Sequence, residues 1–211
     1  MIIIKIALAG YKGKTGSKVY EVLLENNFDV IGIDKEDKLI DKINNIDLLI
    51  DFTNKEVALD NIDLCIKNKV DFIVGTTGFT SNELANIKSL CNQNNIKGII
   101  SYNFSIPLNI LLKQIKTFSM YFDDISYLDV HHISKKDNIS GTTYLFLLKN
   151  NKIKVKSIKT NKKTIIYVVK MTGKYDKMIL TYQVTDKKAF ALGILNYLKY
   201  NDESNFINLI G

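Results

Sequence analysis

Residues 2–16 read IIIKIALAGYKGKTG, and the fold is decided by how that stretch divides. From Ile2 to Ala9 the chain is apolar apart from Lys5, the pattern of a strand buried on both faces. From Gly10 to Gly16 it is a turn punctuated by three glycines, and Val19, Val22 and Leu23 then recur at helical spacing. A strand, a glycine turn and a helix in that order make an anion cradle. Glycines let the backbone approach a pyrophosphate, and the helix N-terminus presents unpaired N–H groups to its charge. Gly10, Lys12, Gly13, Lys14, Thr15 and Gly16 are therefore candidate cofactor-binding residues. The spacing is GxxGxxG rather than GxGxxG, and it does not meet the GxxxxGK[S/T] pattern of a P-loop. A tight strand-to-helix turn with no ligand is the plainer alternative for this segment alone.

Working outward, the next ninety residues repeat the alternation. Asp29–Ile33, Asp47–Ile50, Val70–Val74 and Gly98–Ser101 are short apolar runs of strand length. Between them, Val57, Ala58, Asn61, Ile62, Cys65 and Ile66 mark one helix face, and Leu84, Ile87, Leu90 and Cys91 mark another, with Ser81 placed to cap it. Strands alternating with helices imply a parallel sheet covered on both faces. Ligands of such sheets bind at the carboxyl ends of the strands. There lie Asp34, whose carboxylate can accept from both ribose hydroxyls, and Lys35, which suits a 2′-phosphate instead. The loops Asp51-Phe52-Thr53, Gly75-Thr76-Thr77 and Asn103-Phe104-Ser105 open toward the same crevice. Their small residues and hydroxyls suit a flat nicotinamide and its ribose, so Phe52, Thr53, Gly75, Thr76, Thr77, Asn103, Phe104 and Ser105 join the candidate set.

The pattern changes after residue 105. Pro107 suits the first turn of a long helix ending near Phe122, and a strand from Ser126 to His132 and a polar loop, Ser134–Gly141, follow. Lys152–Lys159, Thr164–Met171 and Lys177–Val184 read as strands with no helix between them, and Ala189–Tyr200 closes as a helix. The fold expected is α/β: a Rossmann-type parallel-sheet lobe over 1–105, joined by the C-terminal helix region 189–211, and a smaller α+β lobe over 106–188 with an open, mostly antiparallel sheet. The only histidines, His131 and His132, are adjacent and so face opposite sides of a strand. With Lys135 and Ser140-Gly141-Thr142 they form a plausible dianion site. Turn N–H groups can cradle a carboxylate, lysine can neutralise charge, and histidine can donate a proton near neutral pH. Adjacent strand histidines diverge and no third ligand is evident, so no metal site is expected.

Composition narrows the classes further. The 211 residues are 46% hydrophobic and 24% charged, with one proline, which is the balance of a chain that fills a core. Cys65 and Cys91 sit on apolar helix faces and read as core rather than as a reactive or metal-binding pair. The net charge of +7 comes from 29 lysines without a single arginine, the residue that reads phosphates and guanine bidentately. The lysine run from Lys152 begins by alternating with Ile153 and Val155, as a solvated strand face that guards an edge would. A nucleic-acid surface and a membrane span are not expected, and a cytoplasmic location is.

Together these segments resemble the 4-hydroxy-tetrahydrodipicolinate reductase family, also called dihydrodipicolinate reductase. The matching pieces are GYKGKTG at 10–16, DFT at 51–53, VGTTGF at 74–79, NFS at 103–105, HHISKKDNISGT at 131–142 and FALG at 190–193. The resemblance implies an enzyme that uses NADH or NADPH to reduce a cyclic dicarboxylate on the diaminopimelate route to lysine, commonly as a homotetramer. It implies that Gly10, Gly13 and Gly16 bind pyrophosphate and that Gly75, Thr76, Thr77, Asn103 and Phe104 border the nicotinamide. It makes His131 the proton donor and Lys135 the second catalytic residue, and it gives His132, Ser140, Gly141 and Thr142 to the substrate. The chain departs from the family pattern at Ile139 (usually proline), Thr15 (commonly methionine) and Tyr182 (often histidine), and its second lobe is short. A dinucleotide-binding regulator without turnover, or another two-lobed NAD(P)-dependent dehydrogenase, are the competing readings.

Overall fold

The computed structural model describes residues 4–133, 140–149, 153–161, 164–201 and 207–210. Its first sheet contains β1 (Lys5–Ala9), β2 (Asp29–Ile33), β3 (Leu48–Asp51), β4 (Asp71–Val74) and β5 (Gly98–Ile100), all parallel, in the order β2-β1-β3-β4-β5. Helices α1 (Gly16–Glu25), α2 (Lys55–Asn68) and α3 (Ser81–Asn94) make the crossovers that parallel strands require. The order reverses at β1, between β2 and β3, so the crevice of this sheet opens beside Gly10.

Core packing follows the apolar runs. One sheet face buries Ala7, Leu49 and Phe72 against Ala58, Ile62, Cys65 and Ile87 of α2 and α3. The other buries Ile6, Leu8 and Ile50 against Val19, Val22 and Leu23 of α1. Each valine, leucine, isoleucine or phenylalanine among them contributes roughly 1.5–3 kcal/mol when fully buried. Burial pushes the thiols of Cys65 and Cys91 up to about 12 and about 11. Two details differ from expectation. Val57 is exposed, so the buried face of α2 starts at Ala58. The cap of α3 is Thr80 rather than Ser81, because only Thr80 has Glu83 at the third helical position to complete a reciprocal capping box.

The second lobe begins with α4 (Ile106–Tyr121), which has Pro107 in its first turn, and continues with β6 (Asp124–His132), α5 (Gly141–Lys149), β7 (Lys154–Thr160), β8 (Ile165–Thr172) and β9 (Lys177–Val184). The sheet order is β7-β6-β8-β9. The pairs β6–β8 and β8–β9 are antiparallel, whereas β6–β7 is parallel. Helix α5 makes that parallel pairing possible, and its residues were not expected to be helical. Thr142, Thr143, Tyr144 and Phe146 favour strands, yet Ser140 caps the segment by accepting the Thr143 N–H at 2.9 Å. Edge strand β7 is exposed on both faces rather than alternating. Leu108, Leu112 and Ile115 of α4 and Leu145 and Phe146 of α5 cover one face of this sheet, meeting Tyr127, Tyr167 and Val169.

Helix α6 (Lys188–Tyr200) returns to the first lobe and buries Ala191, Ile194 and Leu195 beside α1. Lys188 bridges Glu21 and Glu25 of α1 at 2.8 and 3.0 Å. The helix stops at Asn201, whose φ of 51° is left-handed, and the segment 207–210 lies along β5, with Leu209 N–H donating to the Ile100 carbonyl at 2.8 Å. No described helix is long and apolar enough to cross a membrane.

Candidate active site

Three loops at the carboxyl ends of β1, β3 and β4 build one wall of the site. Gly10 has φ of +76°, and a Cβ there would stand 2.8 Å from the Phe52 carbonyl oxygen. A Cβ on Gly16 would overlap the Gly10 carbonyl oxygen, so the turn closes only without side chains. The N–H groups of Gly13, Ser17, Lys18 and Val19 bond back to the carbonyls of Gly10, Gly13 and Thr15. Among the described residues, those of Lys14, Thr15 and Gly16 have no backbone acceptor, which leaves a cradle that fits a pyrophosphate.

The neighbouring loops hang from Asp51, the last residue of β3, whose side chain is fully buried. Its carboxylate accepts the Thr53 N–H at 2.8 Å, the Thr53 hydroxyl at 2.6 Å and the Asn61 amide at 2.7 Å, with the Thr76 hydroxyl at 3.4 Å. Burial pushes this carboxyl above the usual range, although the hydrogen bonds from Thr53, Asn61 and Thr76 pull it down. After β2, Asp34 lies 3.4 Å from Lys12 Nζ, which raises the lysine above its ordinary value, and neither residue lines the cleft.

The opposite wall comes from the hinge and the second lobe. The Asn103 amide donates to the Thr142 hydroxyl at 3.0 Å, and its carbonyl oxygen accepts the Ser105 N–H at 2.8 Å. The Tyr167 hydroxyl also meets that of Thr142, at 3.2 Å, and Ser105 meets Tyr182 at 2.6 Å. A Cβ on Gly141 would sit 2.8 Å from Thr77 Cγ2 and from Tyr102 Cβ, so glycine lets the start of α5 close onto the first lobe. Below it, the fully buried Asp129 accepts the hydroxyls of Ser140 and Thr143 at 2.8 and 2.7 Å and lies 3.4 Å from His131 Nε2. The His131 ring meets Tyr167 edge-on, with centroids 5.7 Å apart.

Two cavities, of about 210 and 510 Å³, share Thr15, Phe52, Gly75 and Thr77 and so form one cleft. Of the residues singled out in the sequence, Asn103, Phe104, Ser140, Gly141 and Thr142 line the smaller part, and Lys14, Thr53 and Thr76 line the larger. Ser105 is buried behind the wall against Tyr182, and His131 is buried beside Tyr167. His132 is not brought to this group, since the buried face of β6 carries Tyr127, Asp129 and His131 and His132 points from the other. Lys135 lies outside the described residues. Tyr102 and Tyr167 also line the cleft but were not singled out in the sequence, and Phe190 lines it too, though it was quoted only for the family resemblance and not as a site residue. Their signal was weak, because each reads as an ordinary core aromatic.

The family model described as "Dihydrodipicolinate reductase, N-terminus" matches residues 4–104. The 4-hydroxy-tetrahydrodipicolinate reductase of Wigglesworthia glossinidia brevipalpis is 31% identical over 193 residues, which cover 86% of this chain and 72% of that one. The enzyme of that name from Streptococcus uberis is 34% identical over 154 residues, covering 66% of this chain and 60% of its own length. Among solved structures, the dipicolinate-bound dihydrodipicolinate reductase of Paenisporosarcina sp. TG-14 superposes with a TM-score of 0.79 at 20% identity, covering 94% of each chain. Fold and cleft thus define a two-lobed NAD(P)-dependent oxidoreductase. Its apolar parallel sheet carries the glycine turn, and its second sheet carries His131. More particularly, the chain belongs to the 4-hydroxy-tetrahydrodipicolinate reductase family.

Proposed function

We propose that this chain itself reduces 4-hydroxy-tetrahydrodipicolinate to tetrahydrodipicolinate with NADH or NADPH. The observation that carries the reading is the continuity of the cleft: the glycine cradle and the Ser140–Thr142 corner open into one space through Thr15, Phe52, Gly75 and Thr77. When bound, the nicotinamide supplies the hydride; the protein's part is orientation and charge. Gly10, Gly13 and Gly16, with the amides of Lys14 and Thr15, hold the pyrophosphate, and Thr53, Thr76 and Thr77 border the ribose and ring. The Gly141 N–H and the Thr142 hydroxyl hold a substrate carboxylate, Lys135 neutralises its charge, and His131 holds the proton delivered to the ring carbon beside the reduced one. His132 enters this set through the family resemblance alone.

The enzyme would work in the cytoplasm as a homotetramer. The outer face of the second sheet, with Ile158 and Ile179 exposed, is a surface a second copy would cover. The test is a coupled assay in which dihydrodipicolinate synthase generates the substrate and nicotinamide absorbance is followed with NADH and NADPH in parallel. Oxidation that requires the substrate is expected. Dinucleotide binding without turnover would shift the weight to a regulator, and no binding at all would overturn the reading of the glycine turn.

A further inference from the structure

Asp129 stands two residues before His131 on the same face of β6, where the alternation of the strand aligns their side chains. It is fully buried, and its Oδ1 has no hydrogen-bond partner among the described residues, so the donors that sustain a buried carboxylate converge on the other oxygen. A single oxygen, Oδ2, accepts the Ser140 hydroxyl at 2.8 Å and the Thr143 hydroxyl at 2.7 Å, and it lies 3.4 Å from His131 Nε2. Ser140 commits its one proton to Asp129 and uses a lone pair to accept the Thr143 N–H at 2.9 Å, which caps α5. The donor directions therefore run one way, from the first turn of α5 into Asp129. That turn presents Gly141 and Thr142 to the cleft.

We infer that Asp129 is a positioning residue that fixes the tautomer of the His131 imidazole and, through the same carboxylate, the seat of the Ser140–Thr142 substrate cradle. An ionised carboxylate only accepts hydrogen bonds. The nitrogen facing it must carry hydrogen whether the ring is neutral or charged, so the neutral ring is the Nε2–H tautomer with Nδ1 unprotonated. A histidine that must exchange a proton at one defined nitrogen gains from this arrangement. The ring cannot tumble between tautomers, and the substrate cradle is referenced to the same atom. The catalytic consequence rests on the reductase reading, whereas the tautomer does not.

The experiment uses the full chain with ¹⁵N-labelled histidine, whose two imidazoles are the only ones in the sequence. Two-bond nitrogen–proton correlations are recorded at about pH 8.5, above the ordinary histidine range. His131 in the unsubstituted protein is expected to show Nε2–H. In Asp129→Asn, the amide N–H turned toward Nε2 should transfer the ring proton to Nδ1 and lower kcat about 10- to 100-fold, with dinucleotide Kd within about twofold. Asp129→Glu should restore Nε2–H. A folded Asp129→Asn protein with an unchanged tautomer overturns the inference. So does an unsubstituted protein with unprotonated Nε2, a measurement that decides the matter even if the variant does not fold. An Nε2–H signal in a protein that turns over no synthase product would sink the reductase reading and leave the positioning role standing.

Discussion

The two lobes bury one carboxylate each beside the cleft, and the two behave in opposite ways. Asp51 and Asp129 are both fully buried, and both gather hydroxyl groups from the loops that line the site. Around Asp51 every donor is neutral, so burial prevails and the carboxyl is pushed up. Around Asp129 burial also pushes upward, but hydrogen bonds from His131, Ser157, Thr143 and Ser140 outweigh it and hold the group below the usual carboxylate range. Asp129 has the His131 imidazole and the Ser157 hydroxyl among its donors, where Asp51 has only threonine and asparagine. The first lobe uses its buried acid as a clamp for loops. The second uses a similar clamp that also keeps a carboxylate beside His131, the proposed proton donor.

The sharpest division between the lobes should appear in which kinetic constant fails. His131→Gln and Lys135→Met should each lower turnover by about 10²- to 10⁴-fold, the usual weight of a general acid, with dinucleotide affinity near that of the parent. Gly16→Ala should do the reverse. Its Cβ overlaps the Gly10 carbonyl oxygen, so the turn must open, and dinucleotide affinity should fall at least about thirtyfold. Fluorescence titration with NADH beside steady-state rates reads both. If each variant loses both constants together, the lobes do not divide the labour.

The same division explains what the sequence made legible. Strands of the first lobe are apolar on both faces, so their existence and their parallel order follow from the runs at Lys5–Ala9, Leu48–Asp51 and Asp71–Val74 without knowledge of partners. The second lobe has a one-sided sheet, and there the hydrophobic pattern of β6 misleads. Leu128 and Val130 look like the core face, yet the buried side carries Tyr127, Asp129 and His131. Asp129 could not be recognised as part of the site because its partners, Ser140 and Thr143, reach it through α5. The residues of α5 in turn have strand propensity overridden by a cap. Where function sits on buried polar groups, local pattern is a poor guide and tertiary contact decides.

Acid titration of stability sharpens the contrast between the two carboxylates. Asp129 is lowered in the fold, so its contribution is present above the ordinary value of 3.8 and is lost as pH falls below it. Asp51 is raised, so its contribution is fully present below 3.8 and is lost as pH rises from there through its folded value. Relative to Asp129→Asn, the parent should therefore gain stability as pH rises toward 4. Relative to Asp51→Asn, it should lose stability as pH rises above 4. One proton allows a slope of at most about 1.4 kcal/mol per pH unit. Urea unfolding from pH 3 to 7 measures both, and slopes of the same sign would mean that the two sets of donors do not distinguish the sites.

The smallest effect expected lies at the edge of the first lobe, where Asp34 ends the second strand region beside Lys12. An acidic side chain there accepts from ribose hydroxyls but repels a 2′-phosphate, and Lys12 does the opposite. Asp34→Ala should weaken NADH binding about five- to tenfold, the worth of a hydrogen bond to a charged group, while NADPH stays within about threefold because the lysine it releases turns to the phosphate. An equal loss for both dinucleotides would mean that Asp34 acts only by holding Lys12. In that case the preference of the first lobe would have to come from Lys35 or from the turn itself.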